Sequence, residues 1–206
     1  LYLIKLQHKD HLHSVKIVNR DDVPENSQIV KSLVWTYLKT NPILLILSLD
    51  SSVDKVKLAN YLEMKSIKHV RMASPELVYS VTGQRVGNVS TIGHKLTVRT
   101  IVDAKLLVKH NYFVDSSTVA TTTNADATSI DTATMNIDSI TINNTATTNN
   151  NHTSTIIPTS SNDIVCYGGG GSDGKELAIK LSDLLALSKA EVVDISVDIC
   201  DTNDTI

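Results

Sequence analysis

IVKSLVW, residues 29–35, followed after the linker KTNP by ILLILSL, residues 43–49, decides how this chain folds. Both runs are rich in Val, Ile and Leu, and both are too short for buried helices, so they read as two strands of a hairpin over residues 29–38 and 43–49. If strand alternation holds, Ile29, Lys31, Leu33 and Trp35 share one face, and Val30, Ser32 and Val34 share the other. Lys31 therefore sits among three large apolar groups. An ammonium placed there must snorkel to water, meet an anion, or serve a purpose that offsets its desolvation.

Beyond the hairpin, SSVDKVKLANYLEMK (51–65) has Ser52 as an N-cap, with Val53, Val56, Ala59 or Tyr61, and Leu62 spaced for one helical face. A short strand, KHVRMA, follows. SPELVYSVTG (74–83) carries the best-marked helix of the chain: Ser74 caps it, Pro75 takes its first turn, Glu76 meets the positive end of its dipole, and Gly83 ends it in a left-handed conformation. Residues 84–95, QRVGNVSTIGHK, lack a period and read as an irregular loop before the strand LTVRTIVD. From Val114 to Asn162 the composition changes to Thr, Asn, Ser, Ala and Asp, without Lys, Arg, Glu, Gly or any aromatic. That segment is expected to be a disordered insert, because its apolar mass does not offset ordering entropy. The NNT and NHT glycosylation sequons within it arise readily by chance in an Asn/Thr-rich tract. Order resumes at DIVCY and ELAIKL, two strands around a glycine turn, and SDLLALS forms a short helix capped by Ser182. The ordered parts, residues 1–113 and 163–206, make one mixed α/β domain with a largely antiparallel sheet, interrupted by the insert at 114–162.

At 206 residues and 41% apolar composition, the chain can build one core of ordinary size. A formal charge of -3 and a pI near 6.2 give no global attraction to nucleic acid, so any polyanion must be held by a local basic patch. Two widely separated cysteines, Cys166 and Cys200, suit a reducing compartment rather than a disulfide framework or a thiolate zinc site. The start, LYLIKLQHKDH, lacks a signal-type apolar run and an initiating Met, so the chain reads as a fragment. No run approaches the roughly 20 apolar residues a membrane helix needs. A cytoplasmic location is expected.

Few segments carry obvious chemistry. GGGGSDGK (168–175) nearly satisfies the phosphate-binding pattern G-x-x-x-x-G-K-[ST], but Glu176 stands where the magnesium-binding hydroxyl belongs, and a strand follows instead of a helix. A flexible strand-to-strand turn, or glycines admitting close backbone approach, fits better. His8, His11 and His13 could share a metal, although a solvated start is the simpler reading. Asp103, ending its strand, reads as a cap or turn residue, or as an acid in a cleft. No Ser or Cys stands in a nucleophile-elbow context, and no metal or other cofactor is implied.

Taken in order, SQIVKSLVW, the run from KVKLANY through MASPELVYSVTG into VGNVSTIG, TVRTIVDA, and GGGGSDGKELAIKLSDLLALS resemble the YbaK family of aminoacyl-tRNA deacylases, over about residues 14–113 and 163–196. The resemblance implies a mixed α/β fold with a curved sheet, and hydrolysis of the ester joining a wrong amino acid to a tRNA, with tRNA for proline carrying cysteine or alanine as the expected substrate. It implies the tRNA acceptor end, and a prolyl-tRNA synthetase, as partners. Lys31 matches the pocket lysine of the family, and Ser32 the adjoining hydroxyl position. Gly87, Asn88, Val89, Ser90 and Thr91 match its glycine loop, Asp103 an acidic position after the next strand, and Gly168, Gly169 and Gly170 its later glycine turn. Lys31, Gly87, Ser90 and Asp103 are the implied catalytic set, with Ser32, Asn88, Val89, Thr91 and the three glycines binding substrate. An aminoacyl ester is already activated, so backbone N–H groups of Gly87 to Ser90 would stabilise the oxyanion without a metal. Lys31 would hold the terminal phosphate or ribose. Three features depart from the pattern. Thr91 replaces a proline, Asp173 stands where relatives carry a basic residue, and the insert precedes a strand near the pocket, as a tether or a lid. A tRNA body would meet Lys65, Lys68, Arg71, Arg85, Lys95 and Arg99. A non-catalytic RNA- or synthetase-binding module that kept the fold is the alternative.

Overall fold

The computed structural model describes residues 15–38, 40–109 and 163–199. The expected insert, the His8–His11–His13 cluster and Cys200 lie outside these residues.

The hairpin forms as its sequence predicts: β2 (Gln28–Tyr37) pairs antiparallel with β3 (Asn41–Ser48), in a register that sets Lys31 opposite Leu47 and Trp35 opposite Ile43. Together with β1 (Lys16–Asn19), β6 (Arg99–Asp103), β7 (Val165–Gly169), β8 (Lys175–Lys180) and β9 (Glu191–Val193), they make a mixed sheet in the order β1-β8-β7-β2-β3-β6-β9. A two-residue β5 (Arg71–Met72) pairs with β2 off that path. The pairs β2–β7, β3–β6 and β6–β9 are parallel, and the remaining pairs of this sheet are antiparallel.

Alternation along the hairpin divides the interior into two clusters. Val30, Val34, Leu44 and Ile46 join one core with Val78 of α2 (Pro75–Thr82) and Leu184 of α4 (Leu181–Ser188). Trp35, Ile43, Leu45 and Leu47 join the other with Leu58, Ala59 and Leu62 around α1 (Lys55–Tyr61). Each fully buried Leu or Ile contributes on the order of 2 kcal/mol relative to exposure, so the two-sided hairpin anchors the domain.

α2 has the predicted boundaries: Ser74 accepts from the Leu77 N–H, Pro75 opens the helix, and Gly83 closes it at φ 74°. α1 starts later than predicted. Residues Ser51–Val53 form β4, paired with β10 (Ser196–Asp198), so Asp54 rather than Ser52 caps the helix, accepting from the N–H groups of Val56 and Lys57. That start turns Val56 outward, to 54% exposure, and sends Leu58 and Ala59 inward. Of KHVRMA only Arg71 and Met72 pair as a strand, after a 3-10 turn over Ile67–His69. Ser182 lies inside the first turn of α4 and does not cap it. Its hydroxyl and N–H bond the carboxylate of Asp163, which closes the helix start from across the chain. A further short helix, α3 (Ala104–Val108), follows β6 directly.

The second edge of β2 positions the site. That edge is laddered to β7 at Gln28–Ile29 and to β5 at Trp35–Thr36, with no strand among the described residues opposite Val30 to Val34. Ile29 offers its carbonyl to Leu49 on the β3 side, and Val34 offers its own to Ala73 on the other. The backbone groups of odd-numbered residues therefore face β3, and those of Ser32 face the gap.

Candidate functional site

A cavity of about 820 Å³ opens over this gap. Val30, Ser32 and Val34 form its floor, Ala73, Pro75 and Val78 one wall, and Gly87, Val89 and Gly169 another. The volume lies within the roughly 300–1,000 Å³ of small-ligand sites, and a mostly apolar wall with few polar groups suits one.

Lys31 stands at this cavity with its stem on the apolar face shared by Leu33 and Trp35. Its Nζ donates to the Leu49 carbonyl at 3.0 Å. Burial holds the ammonium below the usual lysine range, against a weaker opposing pull from Asp50. Asp50 is itself paired with Lys109 at 3.3 Å. One carbonyl uses a single donor of three, so the ammonium retains capacity for an anion. Beside it, the Ser32 hydroxyl is buried without a hydrogen-bond partner among the described residues. A buried unpaired hydroxyl costs about 1–3 kcal/mol.

The glycine loop supplies two kinds of residue. Gly87 and Val89 line the cavity, and their N–H groups find no acceptor among the described residues. Gly87 has φ 92°, a conformation that favours glycine. Asn88 and Ser90 stand behind them. The Asn88 N–H bonds the Arg85 carbonyl, and its side chain donates to Asp173 at 2.6 Å. The Ser90 N–H is taken by Gln84 Oε1 at 2.8 Å, and its hydroxyl donates to the Ile92 carbonyl. His94 Nε2 bonds the Ser90 carbonyl, and burial depresses its imidazole below the ordinary value, with that carbonyl opposing. Of the N–H groups over Gly87 to Ser90, those of Gly87 and Val89 stay without an acceptor among the described residues, and the other two hold the loop closed.

The glycine turn packs against this loop. A Cβ on Gly169 would lie 2.5 Å from the Val89 carbonyl oxygen and 2.8 Å from the Asn88 carbonyl carbon, so only glycine lets β7 come this close. Gly171 N–H bonds the Asn88 carbonyl at 2.9 Å. A Cβ on Gly168 would meet Val30 and Thr91, and one on Gly170 would meet Lys175; of the three glycines only Gly169 lines the cavity. Thr91 is buried, its hydroxyl without a partner among the described residues, outside the cavity lining. Lys175 continues into β8, without the helix that a phosphate-binding loop requires.

Asp103 lies away from the cavity. Its fully buried carboxylate accepts from the Ile195 N–H at 3.1 Å and from Ser196 Oγ at 2.6 Å, tying the end of β6 to the turn before β10. Burial pushes its carboxyl above the usual range, and those two bonds oppose the shift. Its position as N-cap of α3 carries no capping bond. Of the expected surface cations, Arg99 is already bidentate to Glu191 at 2.6 and 2.7 Å. Arg71 and Arg85 adjoin Met72 and Val86 of the cavity rim. Arg20 and Glu176, paired at 2.7 Å, also line the cavity. They escape a reading by motif, since the segments VNRDD and GKELA place them 156 residues apart.

The Aminoacyl-tRNA editing domain family matches residues 11–128 of this sequence, which is more than half the chain. The chain belongs to that family. Among solved structures, the editing domain is similar in fold to a candidate trans-editing enzyme for prolyl tRNA synthetase, at 19% identity and a TM-score of 0.52, over 89% of this chain and 87% of that one. It is likewise similar to hypothetical protein APE2540, at 15% identity and a TM-score of 0.54, over 89% and 91% of the two chains. A scaffold protein from a study of epitope backbone grafting matches at 17% identity and a TM-score of 0.54, over 90% of this chain and 88% of that one. No match is found among the curated proteins. Among the described residues, no cluster of His, Cys, Asp and Glu in the editing domain is arranged to hold a metal, and no helix is long and apolar enough to cross a membrane.

Proposed function

We propose that this editing domain is a deacylase that hydrolyses the ester of mischarged tRNA, acting in trans on tRNA for proline that carries cysteine or alanine. One observation carries the reading: Lys31, Ser32, Gly87 and Val89 line one apolar cavity at a break in the sheet, and the N–H groups of Gly87 and Val89 have no acceptor among the described residues. The terminal ribose and its phosphate engage Lys31, and the acyl group lies along the floor over Val30 and Val34. Water adds to the ester carbonyl, and the negative charge formed on its oxygen is met by the two N–H donors, already oriented by the bonds of Asn88 and Ser90. The carbon–oxygen bond to the ribose then breaks, and the ribose oxygen takes a proton. The products are the free amino acid and uncharged tRNA. Placement and two donors suffice because the ester is activated beforehand. The apolar walls suit a small uncharged side chain, and the fold neighbour associated with prolyl tRNA synthetase motivates the choice of tRNA.

The test is hydrolysis of a panel of Cys-, Ala- and Ser-tRNA for proline by the chain and by its Lys31→Ala variant. Turnover of one or two of these esters, slowed at least ~10-fold by the substitution, is the expected result; a factor of ten corresponds to about 1.4 kcal/mol of transition-state stabilisation. A folded protein that turns over none of them, yet binds tRNA in a salt-sensitive way, would make the domain a binding module instead.

A further inference from the structure

Arg20 and Glu176 line the cavity and take no part in the chemistry above. Arg20 opens the turn after β1, and Glu176 lies on β8 opposite Gly169. The turn does not need the ion pair to keep its place, because the Arg20 N–H bonds the Gly174 carbonyl at 2.9 Å. The two side chains are in unequal surroundings. The Arg20 side chain is 59% exposed, whereas that of Glu176 is 12% exposed. Only Glu176 Oε1 receives a bond from Arg20, and Oε2 has no partner among the described residues. A half-buried carboxylate with one oxygen unbonded at an apolar wall keeps the capacity to accept from a cation, and an ion pair with so exposed a partner returns little.

An aminoacyl ester brings one group that the proposed chemistry leaves without a partner, the α-ammonium, which is charged near neutral pH. Lys31 and Arg20 repel it. Glu176 is the one carboxylate among the described residues that line the cavity. We propose that Glu176 receives the α-ammonium of the aminoacyl ester on its free oxygen, with Arg20 fixing the carboxylate from the other side. The inference rests on the deacylase reading and adds to it a class of substrate: esters with a free α-amino group. Esters whose nitrogen is already acylated, peptidyl-tRNA among them, are then poor substrates, which separates clearance of wrong amino acids from destruction of growing chains.

The experiment compares alanyl-tRNA for proline with its N-acetylalanyl counterpart, using the full chain, Glu176→Gln and Glu176→Asp. The wild type should prefer the free amine at least ~10-fold in kcat/KM, as loss of a charge-assisted bond predicts. E176Q should lose that preference by slowing only the alanyl ester, its unchanged N-acetylalanyl rate showing that the site is intact. E176D, which keeps the charge, should retain a preference even if E176Q folds poorly. Equal wild-type rates on the two esters, or an E176Q variant that slows both equally, would overturn the assignment while leaving the deacylase reading in place. No wild-type turnover of either ester would overturn both.

Discussion

Replacing Gly169 by alanine puts the coupling between the glycine turn and the site under direct strain. The added Cβ would stand 2.5 Å from the Val89 carbonyl oxygen, where ordinary contact begins at 3.4 Å, so β7 and the loop must separate by about 0.9 Å. Neither side yields easily. β7 is held by β8 along its length, and the Asn88 and Ser90 N–H groups anchor the loop to Arg85 and Gln84. Overpacking of this kind costs about 1–3 kcal/mol. At roughly 2–4 °C per kcal/mol for a chain of this size, thermal unfolding followed by circular dichroism should show a melting temperature several degrees lower. The larger effect falls on chemistry. Val89 contributes one of the two N–H groups assigned to the oxyanion, and a displacement near 1 Å in a positioned group costs on the order of 100-fold in rate. Deacylation of the preferred mischarged tRNA by G169A should therefore fall far more than its stability. Gly168→Ala, whose Cβ meets Val30 at 3.1 Å, should be milder on both counts. Unchanged melting and unchanged turnover in G169A would refute the claim that this glycine sets the position of the loop.

Other expectations follow from side chains around the site. Asp103→Ala removes a buried acceptor of two hydrogen bonds and leaves the Ile195 N–H unpaired, so denaturant unfolding should show a loss of about 2–4 kcal/mol. The protein that remains folded should keep its kcat/KM, since this carboxylate lies outside the cavity. His94 has a depressed pKa in the folded state, so the unfolded chain binds the extra proton first as pH falls. Stability should decline as pH drops through about 6.5 toward the depressed folded value, and the decline should flatten in His94→Gln when melting is followed between pH 7.5 and 5. Lys31→Met should keep its stability within about 0.5 kcal/mol of the wild type, because it removes a partly desolvated charge bound to a single carbonyl, while its deacylation falls at least ~10-fold.

The hairpin and α2 were legible in sequence because their signals are local. Alternation in IVKSLVW assigns both faces of β2, and Ser74, Pro75 and Gly83 mark the ends of a helix without reference to the rest of the chain. Errors arise where a distant partner decides. Ser52 has the chemistry of a cap, yet β10 draws it into a ladder and passes the role to Asp54. Ser182 looks like a cap until Asp163 occupies the position from outside the helix. Asp103, matched through the family resemblance to a catalytic position, lies outside the cavity lining and bonds Ile195 and Ser196, more than ninety residues further on, which its own segment does not announce. The lining of the proposed site divides in the same way. Lys31, Ser32, Gly87, Val89 and Gly169 were within reach of motif and resemblance, whereas Arg20 and Glu176 meet only because β1 and β8 are neighbours in the sheet.

The break along β2 gives Ser32 an unusual standing for a residue in the middle of a ten-residue strand. Its amide points toward ligand space, while those of Lys31 and Leu33 on either side are locked into the ladder with β3. Deuterium uptake resolved by residue should therefore alternate sharply here, with Ser32 labelling in the time of a surface loop and its neighbours as slowly as the core. Slowed labelling at that one amide when an acylated acceptor end is added would report occupancy of the cavity without any need for turnover.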